Sequence, residues 1–178
     1  MRVEKVVGWF DRVIDAVGYL TAVLLLLMIL NVAYDVMMRY MFHNSSIAMQ
    51  EMEWHLFAVI ILFGTGYALR HDAHVRVDFV YDRLSPSAKG WIDIFGTLFF
   101  LIPLAMLIVY GSWDFVMDAY ETGEISEDPG GLPYRWIIKA SIPASFVFLI
   151  FCAIDFILHS YSVIKGEGRS IDRGEVME

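Results

Sequence analysis

The chain has 178 residues, of which 58% are hydrophobic and only 19% are charged, and its net charge is −8. A soluble domain is about 45–50% apolar and about 25% charged, so this balance excludes an ordinary water-soluble protein and points to the membrane. The length suits one domain. The single cysteine, Cys152, excludes an internal disulfide, and neither a Cys/His metal pattern nor a GxxxxGK[ST] phosphate loop is present.

Residues 2–15 place Val3, Val6, Val7, Phe10, Val13 and Ile14 at three- and four-residue spacings, with Arg2, Lys5, Asp11, Arg12 and Asp15 on the other side. Such a segment either lies along the headgroups as an amphipathic interfacial helix or extends the first span as plain helix. A first transmembrane helix is expected at about 16–38, where nineteen uncharged residues centre on LLLLMIL. Asn31, Asp35 and Arg39 then recur every four residues on one face. Asp35 and Arg39 have the order and spacing of an ion pair, on a solvated helix end or on a polar stripe facing another helix.

HNSS at 43–46 is a turn cluster, and Ser45 or Ser46 is positioned to cap the next helix. The second span, about 51–70, opens with Glu51 and Glu53 and continues for sixteen residues without a formal charge. Gly64 and Gly66 near its end permit close helix approach. His55 would need a partner ligand at similar depth to hold haem or metal, and no other span has a central histidine. The connection that follows is polar and basic. HVRVDFVY within it suits a strand or a short helix skimming the interface, and SPS at 85–87 marks a turn or helix start.

The third span is expected at about 90–111, with Pro103 as a packing kink or a hinge. Residues 114–131 read as a loop with six acids, Asp114, Asp118, Glu121, Glu124, Glu127 and Asp128, closed by DPGGLP. The loop lacks the D-x-D-x-D-G alternation of a calcium site, which leaves a solvated acidic face or a docking surface. The fourth span, about 136–158, begins with Lys139 one turn in, where it can snorkel outward. Cys152 lies in its apolar run and reads as a small hydrophobe. Residues 161–178 read as a flexible tail.

Four spans put both termini on one side. Ten of the thirteen Lys and Arg residues fall on that side, in the amino-terminal segment, the middle connection and the tail. Arg39, Arg135 and Lys139 are the other three. The positive-inside bias therefore assigns both termini and the middle connection to the cytoplasm and the acidic loop to the outside. The fold class is all-α and integral to the membrane, with four transmembrane helices plus the amino-terminal amphipathic helix. Trp9, Trp54, Trp91, Trp113 and Trp136 stand near span ends as interfacial anchors. The sequence carries no recognisable nucleophile elbow, no inverted repeat and no matched pair of broken helices, so neither an enzyme nor a self-sufficient transporter is expected. No cofactor and no nucleic-acid partner are expected either.

Four tracts carry a resemblance: RYMF at 39–42, QEMEW at 50–54, ALRHDAHVRVDFVYDRLSP at 68–86 and GGLPYRWIIKASIP at 130–143. Over residues 13–156 the chain resembles the small membrane subunit, the DctQ-type small permease, of tripartite ATP-independent periplasmic (TRAP) transporters. The H-V-R-V-D tract is the most specific feature. Together with GLP-x-R-W-x-x-K it is similar to the subgroup labelled for α-keto acids, dicarboxylates or mannitol/chloroaromatic compounds. The resemblance implies a scaffold clamped to a large DctM-type membrane subunit. That subunit imports a small carboxylate or sulfonate, delivered by a periplasmic binding protein and driven by a sodium gradient. It further implies that Glu51, and less directly Glu53, stand at the family's acidic position on the second span. Arg39, His74, Arg76 and Asp78, with Asp35, would fix helices or touch the large subunit. Two other classes are carried alongside: a membrane anchor of a redox complex, which needs paired central histidines, and a non-transport assembly or sensor protein.

Overall fold

The computed structural model describes residues 2–71 and 84–165, with side chains in the first helix from Gly8 onward. HVRVDFVY, with His74, Arg76 and Asp78, lies outside the described residues, as does the tail from 166. The elements are α1 (Arg2–Met41), α2 (Ile47–Arg70), α3 (Pro86–Gly96), a π-helical turn (Thr97–Leu101), α4 (Ile102–Gly111), α5 (Trp113–Glu121) and α6 (Trp136–Ile164). Among the described residues there is no strand. Four stretches are long and apolar enough to cross a membrane: Gly8–Met41, Ile47–Arg70, Pro86–Glu121 and Trp136–Ile164.

The amino-terminal segment forms no separate interfacial element. It runs without interruption into the first span, making one helix of 40 residues, about 60 Å long at 1.5 Å per residue. No proline interrupts it, and two of its acids are used: Asp11 and Asp15 pair with Arg70 and His71 at the end of α2. Those pairs hold the extension alongside its neighbour.

Backbone bonds from Phe42 and Asn44 to the Met38 carbonyl close α1, and His43 takes a positive φ of 53°. Ser46 occupies the N-cap of α2 in extended backbone but makes no side-chain cap bond. α2 starts at Ile47, one turn before the sequence suggests, because Ile47, Ala48 and Met49 continue its apolar pattern. Ser85 caps α3 by accepting from the Ala88 N–H at 3.3 Å, with Pro86 in the first turn where a missing N–H costs nothing.

Pro103 acts through the turn before it. The Ile102 N–H donates to the Thr97 carbonyl, five residues back, and this widened turn relieves the crowding between the proline ring and the preceding carbonyls. After a break at Ser112, whose hydroxyl donates to the Ile108 carbonyl at 2.6 Å, the helix resumes as α5. Residues 113–121 are therefore helix and not loop. Asp114, Asp118 and Glu121 stand on its exposed side and Ala119 is buried. α6 likewise runs to Ile164, past the expected end near 158.

α2 packs between α1 and α6, and α6 carries the third span on its other side. The core is small: Ile14, Leu69, Cys152 and Ala153, flanked by Tyr67, Phe148, Leu149 and Phe151 among others. Close approach is set at Gly66, where a Cβ would stand 2.7 Å from the Phe148 ring and 3.1 Å from Cys152 Sγ. Gly64 has nothing within 4 Å, so only one of the two small positions serves a helix contact. Most large apolar side chains point outward, among them Leu26, Phe100, Leu107 and Tyr110. In water such a surface would aggregate. In a bilayer it is the lipid-facing side.

Candidate functional site

Two buried polar clusters tie the spans together, one at each end. At the end carrying the 122–135 connection, Glu51 is 6% exposed in the second turn of α2. Its carboxylate accepts from the Ser126 hydroxyl and, at 2.5 Å, from the Leu132 N–H. The Arg135 guanidinium lies 3.9 Å from the same carboxylate, 3.7 Å from Glu124, and 5.5 Å from the centre of the Trp54 ring. Lys139, one turn into α6, reaches back to pair with Glu124 in the connection and sits 4.0 Å over the Phe115 ring. The Ser126 N–H donates to the Leu132 carbonyl at 3.2 Å and the Arg135 N–H to the Glu124 carbonyl at 3.1 Å, so the connection is closed on itself as well as onto α2.

Its sequence permits this. Gly130 takes a φ of 87°, which suits glycine, and Tyr134 is held at 60°, a costly value for a side chain of its size. Gly131 passes so close that a Cβ there would meet Ser126 and stand 2.8 Å from Glu51 Oε2. Leu132, Pro133 and Tyr134 roof a largely apolar cavity of about 380 Å³, whose walls include Leu24, Met52, His55 and Ile137. His55 stacks on Trp54 with ring centres 4.0 Å apart. Among the described residues no three His, Cys, Asp or Glu side chains group as a metal-binding set.

At the opposite end, Arg70 serves two carboxylates on different helices. Its Nε lies 3.0 Å from Asp11 Oδ1 of α1 and 3.0 Å from Asp155 Oδ2 of α6. The N–H groups point to Asp11, and Asp155, wholly buried, accepts no well-aligned hydrogen bond from the described residues. His71 Nε2 lies 3.5 Å from Asp15, and its ring rests against Tyr67.

Asp35 and Arg39 form their ion pair within α1, with Asp35 at 2% exposure, and Asn31 Nδ2 donates to the Met49 carbonyl of α2 at 2.9 Å. Glu53 is half-buried and, among the described residues, stands outside the Glu51 network. Trp54, Trp113 and Trp136 lie at the 122–135 end, with Trp136 edge-on to Tyr120, while Trp9 and Trp91 lie at the other. Trp9 packs edge-on against Phe151. Sequence reasoning missed Arg70 with Asp11 and Asp155, and the Ser126, Leu132 and Arg135 partners of Glu51. An acid inside FCAIDF was a visible signal for the first, since an ionisable group at membrane depth needs a partner. Nothing local signals that a backbone N–H at 132 will reach a carboxylate at 51.

The family described as tripartite ATP-independent periplasmic transporters, DctQ component, matches residues 28–162. The chain belongs to this family. It is 30% identical over 123 residues to the ectoine TRAP transporter small permease protein of Halomonas elongata, an alignment covering 69% of this chain and 60% of that protein. It is 28% identical over 127 residues to a Haemophilus influenzae protein named for the same small-permease role, covering 71% of this chain and 78% of the other. The DctQ match contains Glu51, Arg70, Glu124, Arg135 and Asp155, whereas Asp11 and Asp15 precede it.

Proposed function

We propose that this TRAP small permease subunit acts as a brace. It would hold position beside a large ion-coupled subunit that imports a small organic anion, a carboxylate or sulfonate, delivered by a periplasmic binding protein and driven by a sodium gradient. The observation that supports the bracing role is that polar contacts tie the helices at both ends: Arg70 pairs α2 with α1 and α6, and Glu51 accepts hydrogen bonds from the connection leading into α6. A carrier that moves during transport needs a frame that does not, and spans latched at both ends resist sliding past one another. The family membership supports the place in a transporter, and the proposed substrate class and sodium coupling rest on the resemblance of the motifs alone.

Placement in the membrane follows from charge. Four crossings of the sequence assign ten of thirteen Lys and Arg residues to the side of the termini, which favours that side as cytoplasmic and the acidic connection as periplasmic. The tryptophans near the two ends would then sit in the two headgroup layers.

Purification from native membranes in mild detergent tests this reading. It expects a stable complex with a large polytopic protein, and loss of solute uptake when this chain is deleted. Recovery of the chain alone, with uptake intact after deletion, overturns it.

A further inference from the structure

We infer that Glu51 is a positioning residue for docking: its carboxylate holds residues 124–135 in the single conformation that the periplasmic binding protein recognises. The inference rests on the proposed function above and names the residue through which the membrane span shapes the docking face.

Glu51 belongs to a membrane helix, yet both its oxygens are spent on the connection between α5 and α6. Oε1 accepts from Ser126 and Oε2 from the Leu132 N–H at 2.5 Å. Each oxygen is engaged by a donor of the connection, and the Arg135 guanidinium lies 3.9 Å from the same carboxylate. These two bonds fix to α2 a connection of twelve residues, 124–135, that its own backbone bonds, Ser126 N–H to Leu132 and Arg135 N–H to Glu124, close on itself. The order reaches beyond the two bonds. Gly131 lies where no Cβ fits between Ser126 and Glu51, and Tyr134 is held in left-handed backbone. Such a conformation persists only where its surroundings over-determine it, and it clusters at functional sites. The chain has invested a buried charge, a strained tyrosine and a glycine in one loop shape. The outer side of that shape presents Ile125 and Tyr134, 65% and 64% exposed, beside Glu127 and Asp128. A preformed surface of this kind docks a partner without paying for ordering at the moment of contact.

Glu51→Gln tests the idea. A carboxylate accepts from both donors, whereas an amide offers one oxygen and turns an NH₂ group toward the other donor. The complex of this chain with its large subunit is placed in nanodiscs, with a spin label at position 127. Label mobility, the Kd for the purified binding protein, and the yield of assembled complex are measured for wild type, Glu51→Gln and Ser126→Ala. The expected result for Glu51→Gln is a more mobile label, normal assembly, and docking weakened by about tenfold, the factor that follows if the ordered loop falls to about a tenth of the population. Ser126→Ala, which keeps the Leu132 bond, shifts both readouts in the same direction by less, and it carries the comparison if Glu51→Gln fails to assemble. Unchanged mobility in the variants overturns the latch. Raised mobility with an unchanged Kd overturns the docking role. A wild-type complex that does not bind the binding protein sinks the transporter reading itself, a result separate from either of these.

Discussion

Arg70 is shared between Asp11 and Asp155, so one guanidinium answers two carboxylates brought by two other helices. Removing it leaves a wholly buried acid with no counter-charge near the end of a membrane helix. Arg70→Ala is therefore expected to destabilise the protein by about 3–5 kcal/mol, the range for stranding one member of a buried pair, read as a lowered Tm of the purified protein in detergent. Asp155→Asn keeps a polar group at the site and leaves Arg70 with Asp11, so its Tm should fall less. An equal loss in the two variants would show that packing, and not charge, dominates there. Glycine offers a second residue-scale contrast. Gly66→Ala puts a Cβ 2.7 Å from the Phe148 ring and 3.1 Å from Cys152 Sγ and should cost about 1–3 kcal/mol, whereas the Cβ of Gly64→Ala meets nothing within 4 Å and should leave the Tm unchanged. The same thermal melts check both.

Among the elements, α1 departs most from the sequence pattern. A polar and apolar division over residues 2–15 is what an interfacial helix shows, but it is also what a helix shows when its acids pair with a neighbour. Composition does not separate the two, because the partner of Asp11 lies 59 residues away. The count of crossings and their centres were legible, since twenty apolar residues have few other uses. The ends were not: α2, the third span and α6 all run on by a turn or more, past residues whose polarity looks like a boundary until its partner is known. Pro103 was legible as a perturbation, yet the π-turn that absorbs it lies before the proline, over Thr97–Leu101. Glu51 stood out as an acid at a span mouth, while its donors, a serine and a backbone N–H, come from a loop that only the fold brings near. The continuity of α1 can be checked directly. A spin-label scan over residues 8–41 should give one accessibility wave with a period near 3.6 residues, unbroken at 15–17. A phase shift there would restore a separate interfacial helix.

The whole molecule has a small core and a large apolar exterior, so its stability in a membrane rests less on burial from water than on close packing at Gly66 and on the two polar latches. Those latches lie at opposite ends, which makes the direction of insertion consequential: it decides whether the loop held by Glu51 or the ends of α1 and α6 meet the periplasm. The charge distribution gives a definite expectation. Arg39, Arg135 and Lys139 are the cations at the loop end, paired with Asp35 and Glu124. Four crossings assign the other ten Lys and Arg residues of the sequence to the end carrying the termini, which favours that end as cytoplasmic. Single cysteines at 127 and 165, in a Cys152→Ala background, separate the two directions. Cys152 is buried in the core, so its removal should leave the surface unaltered. In intact cells a membrane-impermeant thiol reagent should label position 127 readily and position 165 only after the membrane is opened. The reverse pattern would place the Glu51 latch in the cytoplasm and remove the docking surface from the reach of any periplasmic protein, whatever the stability of the latch itself.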